Sequence, residues 1–552
     1  ITLIVLLAAS CYKQQDNSPE QDTHEEPDDP IPPPACRFDQ PFPYSSDSTY
    51  LGVHGNRENN NRVFCQGPES VRRGWDALEG RVVLQPISFS ADGERIFVTV
   101  ARTEGCNLYA LHRAGGETAW CSDMFTVGVA LATVITDADG YLYLTDGCDT
   151  GAWVYSLEEH EDHAGVEVRW QTSLDGLYDG PDPATHHTPA GLHFTPDGYI
   201  ATVTTDGVAV LLDRGDGAIL DAFDIRGETG FVPPPQAGDP IPVRLIPREI
   251  RSRLEEAVGE MTDEQLAQFL AGGSGDSGAF SDNTIAVSSL NQVFVIGGGP
   301  PGSGMGSVTA LDIVETDDDP PLPRLEKRWH LLIMGSSGTS PAISPDGSRM
   351  VVGDGGSGES ESSLVYVDIE SCNANTDGDP APQACAPLWL YPMLGKPIIA
   401  TPGLDEDGTV YAWHCSREGG DKDFVAVRDA GGTPEEIWAT PFAPDGDADM
   451  QWTSSATVMD NMVIGGITNF IEPFSEALQV PIFRDLSHEF IAMDRETGRV
   501  LWRAVLDDDS INATAPGPDG ALYVPIMGMF DLLAMGDDID FHGGVIQFVP
   551  DL

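Results

Sequence analysis

The sequence predicts an all-β fold, an eight-bladed β-propeller of four-stranded antiparallel blades whose ring is closed by an N-terminal strand. Three observations predict it. The 552 residues include 60 Gly and 42 Pro, which break long helices and favour turns. One strand–turn–strand pattern recurs eight times from about residue 85. The first and last copies are offset, so one blade is completed from the other end of the chain.

Each copy opens with an apolar run ending in a tight turn. These turns stand at Asp92-Gly93, Asp139-Gly140, Asp197-Gly198, Asn291, Asp346-Gly347, Asp407-Gly408, Asp460-Asn461 and Asp519-Gly520. Asp-Gly and Asn tolerate the left-handed backbone that tight turns require. Alternating strands follow, as in Ile96–Val100, Tyr141–Leu144, Thr409–Ala412 and Ala521–Val524. A third strand comes next, as in Asn107–Leu111, Ser307–Leu311, Ser363–Val367 and Phe490–Met493. The fourth carries an aromatic residue: Trp75, Trp120, Trp170, Phe223, Trp329, Trp389, Trp438 or Trp502.

A single four-stranded unit cannot bury both of its faces, and radial packing lets each cover the next. Trp75 precedes the first turn, whereas no Trp follows the turn at Asp519. The eighth blade therefore takes its outer strand from residues 62–78.

The consensus A/S-x-P-A…P-D-G-x-[VIL]-Y-V…L-Y-A-L-D…T-G-x-x-x-W resembles the pyrroloquinoline-quinone (PQQ)-type propeller repeat over about residues 60–550. Its clearest copy is Phe490-Ile-Ala-Met-Asp-Arg-Glu-Thr-Gly-Arg-Val-Leu-Trp502. That resemblance implies the propeller fold and two kinds of activity, since the family includes quinone-dependent dehydrogenases and lipoproteins that bind no cofactor. A dehydrogenase of the family is expected to carry an adjacent Cys-Cys pair, a calcium held by Glu, Asn and Asp, and a catalytic Asp. The sequence has no adjacent cysteines, so no quinone cofactor is expected.

Charge narrows the partners. Lys and Arg number 29 against 88 Asp and Glu, a net charge of −59. Such a surface repels phosphate backbones and excludes nucleic acid as a ligand. With 41% hydrophobic residues the chain still buries a core, and the carboxylates solvate its exterior.

Residues 1–11 end in Ala8-Ala9-Ser10-Cys11 after an apolar run. They resemble the end of a bacterial lipoprotein signal peptide, which implies export, lipidation of Cys11 and a membrane anchor in the cell envelope, periplasmic or at the cell surface. Residues 12–35 are acidic and Pro-rich and read as a disordered tether. Residues 36–552 form the propeller, with a helical insertion at 226–280 that contains Pro247–Val258 and Thr262–Leu270 as helical patterns. The first pattern carries three arginines and reads as a solvated helix over the rim.

The cysteines after Cys11 number eight, an even count that suggests disulfides in an exported chain, and Cys372 with Cys385 is the pair that closes a short loop. Between them, Asn373, Asn375, Asp377 and Asp379 imitate half of a calcium loop, with Ala384 where a bidentate Glu belongs. This is the one calcium candidate. Gly297–Gly306 lacks the Lys and helix of a phosphate loop, and no G-x-S-x-G or H-E-x-x-H motif is present.

In an antiparallel meander, first-to-second and third-to-fourth connections share one face, built here mostly of short turns. Second-to-third and blade-to-blade connections share the other, which holds the long loops 226–280, 469–487 and 526–542. Loops that vary on a rigid scaffold concentrate binding. Apolar residues of the last two loops, among them Phe470 and Met527, are expected to pack together. His186, His187 and His414 are candidate imidazoles at the channel mouth for a metal or acid–base site. Trp413 and Trp452 are candidate channel-mouth aromatics for a sugar. The sequence thus favours a lipid-anchored, non-catalytic binding or scaffold protein that meets envelope proteins through its loop-rich face. The alternatives are a quinone- or metal-dependent oxidoreductase and a carbohydrate-binding propeller.

Overall fold

The computed structural model describes Cys36, Tyr50 and most of residues 52–551. Residues 1–35, 37–49, 178–190, 230–247, 261–280, 375–384 and 529–540, with shorter loop stretches, lie outside the described residues.

Eight antiparallel sheets surround one axis. Their innermost strands are pairs of residues: Ser88–Phe89, Ile135–Thr136, His193–Phe194, Ala286–Val287, Ala342–Ile343, Gly403–Leu404, Thr457–Val458 and Ala515–Pro516. The turns read from the sequence follow each of them, and the glycines at 93, 140, 198, 347, 408 and 520 have positive φ, as does Asn291. The eight aromatic residues lie on the outermost strands, which are Thr118–Ser122, Val166–Ser173, Ile219–Asp224, Pro323–Met334, Trp389–Pro392, Pro434–Phe442, Val500–Leu506 and Val71–Ala77.

The eighth blade closes as its offset predicts. Val71–Ala77 pairs antiparallel with Gly544–Pro550, with Val71 opposite Pro550 and Ala77 opposite Val545. Trp502 of the seventh blade donates its indole N–H to the Pro68 carbonyl at 2.8 Å, so the last seam joins the two ends of the sequence.

The T-G-x-x-x-W motif has a physical basis across the seams. Trp75, Trp170 and Trp438 donate to the carbonyls of Arg113, Arg214 and Arg495, each in the last turn of the following blade, at 3.1, 3.2 and 3.0 Å. In those turns Gly116, Gly217 and Gly498 have positive φ and lie flat against the incoming indole. A Cβ on Gly498 would stand 2.5 Å from the Trp438 ring. Glycine is needed here for both backbone and space.

Disulfides join Cys36 to Cys65, Cys106 to Cys121 and Cys372 to Cys385, the last as the sequence suggests. The helix Arg248–Val258 leaves the ring between the third and fourth blades and reaches the first. Thr103, in a second-to-third loop of the first blade, donates its N–H to the Val258 carbonyl at 2.7 Å. The helix docks by Ile250, Leu254, Ala257 and Val258, all buried, while Arg251 pairs with Glu255 of the same helix. It crosses the loop-rich face on an apolar stripe, so it is more than a solvated rim helix. Phe470 and Met527 are both buried.

Replacing Gly498 by Ala tests the seam. The backbone conformation alone costs about 1 kcal/mol, and the Trp438 collision adds about 1–3 kcal/mol. Gly431→Ala is the control, because Gly431 has a similar φ but nothing within 4 Å of a Cβ. Thermal unfolding should show the larger loss for Gly498→Ala; equal losses would remove the indole from the account.

Candidate functional site

An innermost propeller strand has one edge facing the axis, and its backbone groups need partners there. Residues 52–65 supply them. Val287, Ile343, Leu404 and Val458, on the innermost strands of blades four to seven, donate their N–H groups to the carbonyls of Arg57, Glu58, Asn60 and Asn61, at 2.7, 2.8, 2.9 and 2.8 Å. Val63 returns a bond to the Val458 carbonyl at 2.8 Å. The segment is an axial strap that meets four blades in turn.

To curl this tightly, the strap uses left-handed residues. Asn59 and Asn61 have φ of 54° and 56°, a conformation Asn adopts more readily than most non-glycine residues. Their side chains serve the same contacts. Asn59, Asn60 and Asn61 donate to the carbonyls of Ile285, Ile343 and Thr401 at 2.6, 2.9 and 3.3 Å. All three are fully buried.

Arg62 locks the strap at its lower end. Its guanidinium is 1% exposed and bonds Asp405 at 2.9 Å, Glu406 at 3.1 Å and Asp460 at 2.7 Å. These acids stand in the Asp-Gly-type turns of blades six and seven. Arg495 also holds Asp405, at 2.7 Å. A buried cation paired this way resists removal, because its loss leaves the buried Asp405 carboxylate to Arg495 alone.

At the other end, His54 Nε2 lies 3.2 Å from both the Ser340 and Thr401 hydroxyls, and His193 Nε2 lies 3.4 Å from the Thr284 hydroxyl. Burial pushes both imidazoles down to about 3, with His54 and Arg57 adding to the shift of His193. Both are neutral at physiological pH.

The residues singled out in the sequence do not gather around this axis. Trp413 is buried against Phe424 and Phe442, at 4.7 and 5.5 Å between ring centroids, in the core between blades six and seven. His414, its neighbour, points the opposite way, as strand alternation requires. His414 is buried beside blade five, with Nε2 3.2 Å from the Pro392 carbonyl and its ring 5.9 Å from Tyr391. Neither residue is a channel-mouth group, which corrects that expectation. His186 and His187 lie outside the described residues, as does the side chain of Trp452.

Asn373, in the short helix Ile369–Ala374, gives its side-chain oxygen to Trp329 at 2.9 Å and Gln292 at 3.2 Å. It serves the seam between blades four and five. Asn375, Asp377 and Asp379 of the calcium candidate lie outside the described residues. Among the described residues, no three His, Cys, Asp or Glu side chains gather as a metal site.

The strap itself was missed. Its signal was a run of amide side chains and two arginines, His54-Gly-Asn-Arg-Glu-Asn-Asn-Asn-Arg62, in a strongly acidic chain.

The imidazoles make stability pH-dependent. Below pH 6.5 the unfolded chain protonates His54 and His193, whereas the folded chain binds those protons only near pH 3. Their contribution to stability is therefore lost as pH falls, at about 1.4 kcal/mol per histidine per pH unit below about pH 6. His193→Gln should flatten the fall in melting temperature between pH 6 and 4 relative to the parent; parallel profiles would contradict this.

No family model matches the sequence, and no curated protein matches it. Solved structures do match. The quinohemoprotein alcohol dehydrogenase from Comamonas testosteroni is 12% identical, with a TM-score of 0.52, covering 92% of this chain and 81% of that one. BamB from Moraxella catarrhalis is also 12% identical, with a TM-score of 0.34, covering 76% of this chain and 96% of that one. Together with the eight antiparallel blades, the first likeness shows the fold: the chain is an eight-bladed β-propeller, similar in architecture to that quinohemoprotein.

Proposed function

We propose that this propeller is an exported binding or scaffold protein, anchored by lipid on Cys11, that meets protein partners in the cell envelope through its loop-rich face without catalysing a reaction. The observation that carries this reading is the strap. It occupies the axis along the innermost strands of blades four to seven, so the scaffold presents its outer faces for work.

The strap also reaches the short-turn face. Cys65 accepts a backbone bond from Asp460 in the turn of blade seven, and Gly67 bonds Asn461 of the same turn. Cys36 is tied to Cys65 and so lies beside that turn. The three disulfides support maturation in an oxidising compartment. Trp413, the described aromatic of the carbohydrate alternative, is committed to the core.

Photo-crosslinking in the native envelope tests the reading. A photoreactive residue at Ser303 or Glu104, exposed on the loop-rich face, should capture a protein partner, and the same residue at Glu94 or Glu496, exposed on the short-turn face, should not. Capture from the short-turn positions alone would contradict the assignment. Cys11→Ser should release the protein from the membrane fraction.

A further inference from the structure

The described cations of this acidic chain mostly sit beside carboxylates. Arg62, Arg73, Arg95, Arg113, Arg428 and Arg503 all form ion pairs. Arg81 and Arg102 depart from this pattern. Arg81 lies in the crossover from blade eight to blade one, and Arg102 lies in the second-to-third loop of blade one. Both belong to the loop-rich face. Ala101 donates its N–H to the Val82 carbonyl at 3.0 Å, which brings Arg102 near enough to Arg81 to feel its charge. Among the described residues, neither arginine forms an ion pair, and the buried Nε of Arg102 has no acceptor.

Two like charges held together cost energy, and the Arg81 charge adds to burial in lowering the pKa of Arg102. In a chain with 88 acidic residues, a carboxylate to relieve that repulsion is easily supplied, yet none stands within ion-pairing distance among the described residues. Glu104 is near enough to be felt but makes no pair. The last turn of the helix Arg248–Val258 flanks the site, because Thr103, next to Arg102, holds the Val258 carbonyl by its N–H and, at 3.1 Å, its hydroxyl. A helix C-terminus favours nearby cations. Here it helps to hold a charge that has no counter-ion.

We propose that Arg81 and Arg102 form a carboxylate-binding site on the loop-rich face, which receives an acidic side chain of a partner peptide. Paired guanidinium groups offer the planar donors that a carboxylate accepts bidentately. The net charge of −59 selects the ligand further. It repels polyanions at long range, whereas one or two carboxylates on a neutral peptide feel chiefly the contact. The proposal rests on the loop-rich face being the binding face and names the chemistry it recognises there.

The test is fluorescence anisotropy with a labelled hexapeptide carrying two glutamates, against the same peptide with glutamines. The intact protein should bind the first and not the second, and added salt should weaken binding. Arg81→Gln and Arg102→Gln should each weaken it at least tenfold. Neither substitution should lower the melting temperature, since each removes a like-charge contact; a structural role would show as a lower one. Equal affinity in the parent and the double variant overturns the proposal, as does failure of the parent to bind at millimolar peptide. Inorganic phosphate binding tightly where the peptide does not also overturns it, by assigning the site to phosphate. These failures leave the crosslinking pattern from Ser303 untouched, so the wider reading stands or falls separately.

Discussion

The innermost edge of each blade presents backbone donors to the axis, and in blades four to seven the chain meets that requirement with its own strap. Every other feature near the axis follows. The left-handed asparagines let a peptide curl within a narrow ring. Their amides reach carbonyls far away in sequence, and Arg62 fixes the end of the curl to two blades at once. The strap then continues into Val71–Ala77, which completes the eighth blade. One continuous N-terminal segment thus fills the axis and closes the circumference.

This double use couples the centre of the ring to its last seam. The Cys36–Cys65 disulfide sits where the strap leaves the axis, and Trp502 docks on Pro68 just beyond. A disulfide at that place limits the freedom of the unfolded segment that must find the axis. The same geometry gives the molecule two unlike faces. The short-turn face carries the Cys36–Cys65 disulfide beside the turn of blade seven. The other carries the long loops, the crossing helix and the arginine pair.

The parts of the fold that were legible in the sequence are those in which local chemistry repeats. The Asp-Gly turns, or an Asn in the glycine's place, adopt positive φ in seven of the eight copies, and the glycine of T-G-x-x-x-W is read because the indoles of Trp75, Trp170 and Trp438 need the same flat surface. Even the closing strand was legible, as the one tryptophan out of step. The strap was not, because it obeys no period. Its residues answer to carbonyls hundreds of positions away, and in a list of residues Asn59-Asn60-Asn61 is indistinguishable from a polar linker. Site residues failed for a related reason. Trp413 and His414 were read as residues of a channel-side loop, but both lie in the strand Val410–Cys415, and strand alternation sends the two side chains into different seams. Asn373 looked like an oxygen ligand and is a seam acceptor for Trp329. The arginine pair, too, is visible only in three dimensions, since it is defined by the carboxylates that are not beside it.

The central claim is that residues 57–63 are structural members of the ring. Amide hydrogen exchange measures this directly on a peptide spanning them. Slow exchange of the Asn61 and Val63 amides, on the timescale of the innermost strands around them, is the predicted result. Exchange within seconds while Val287, Ile343, Leu404 and Val458 remain protected would contradict the account, for those strands would then hold their edges without the strap.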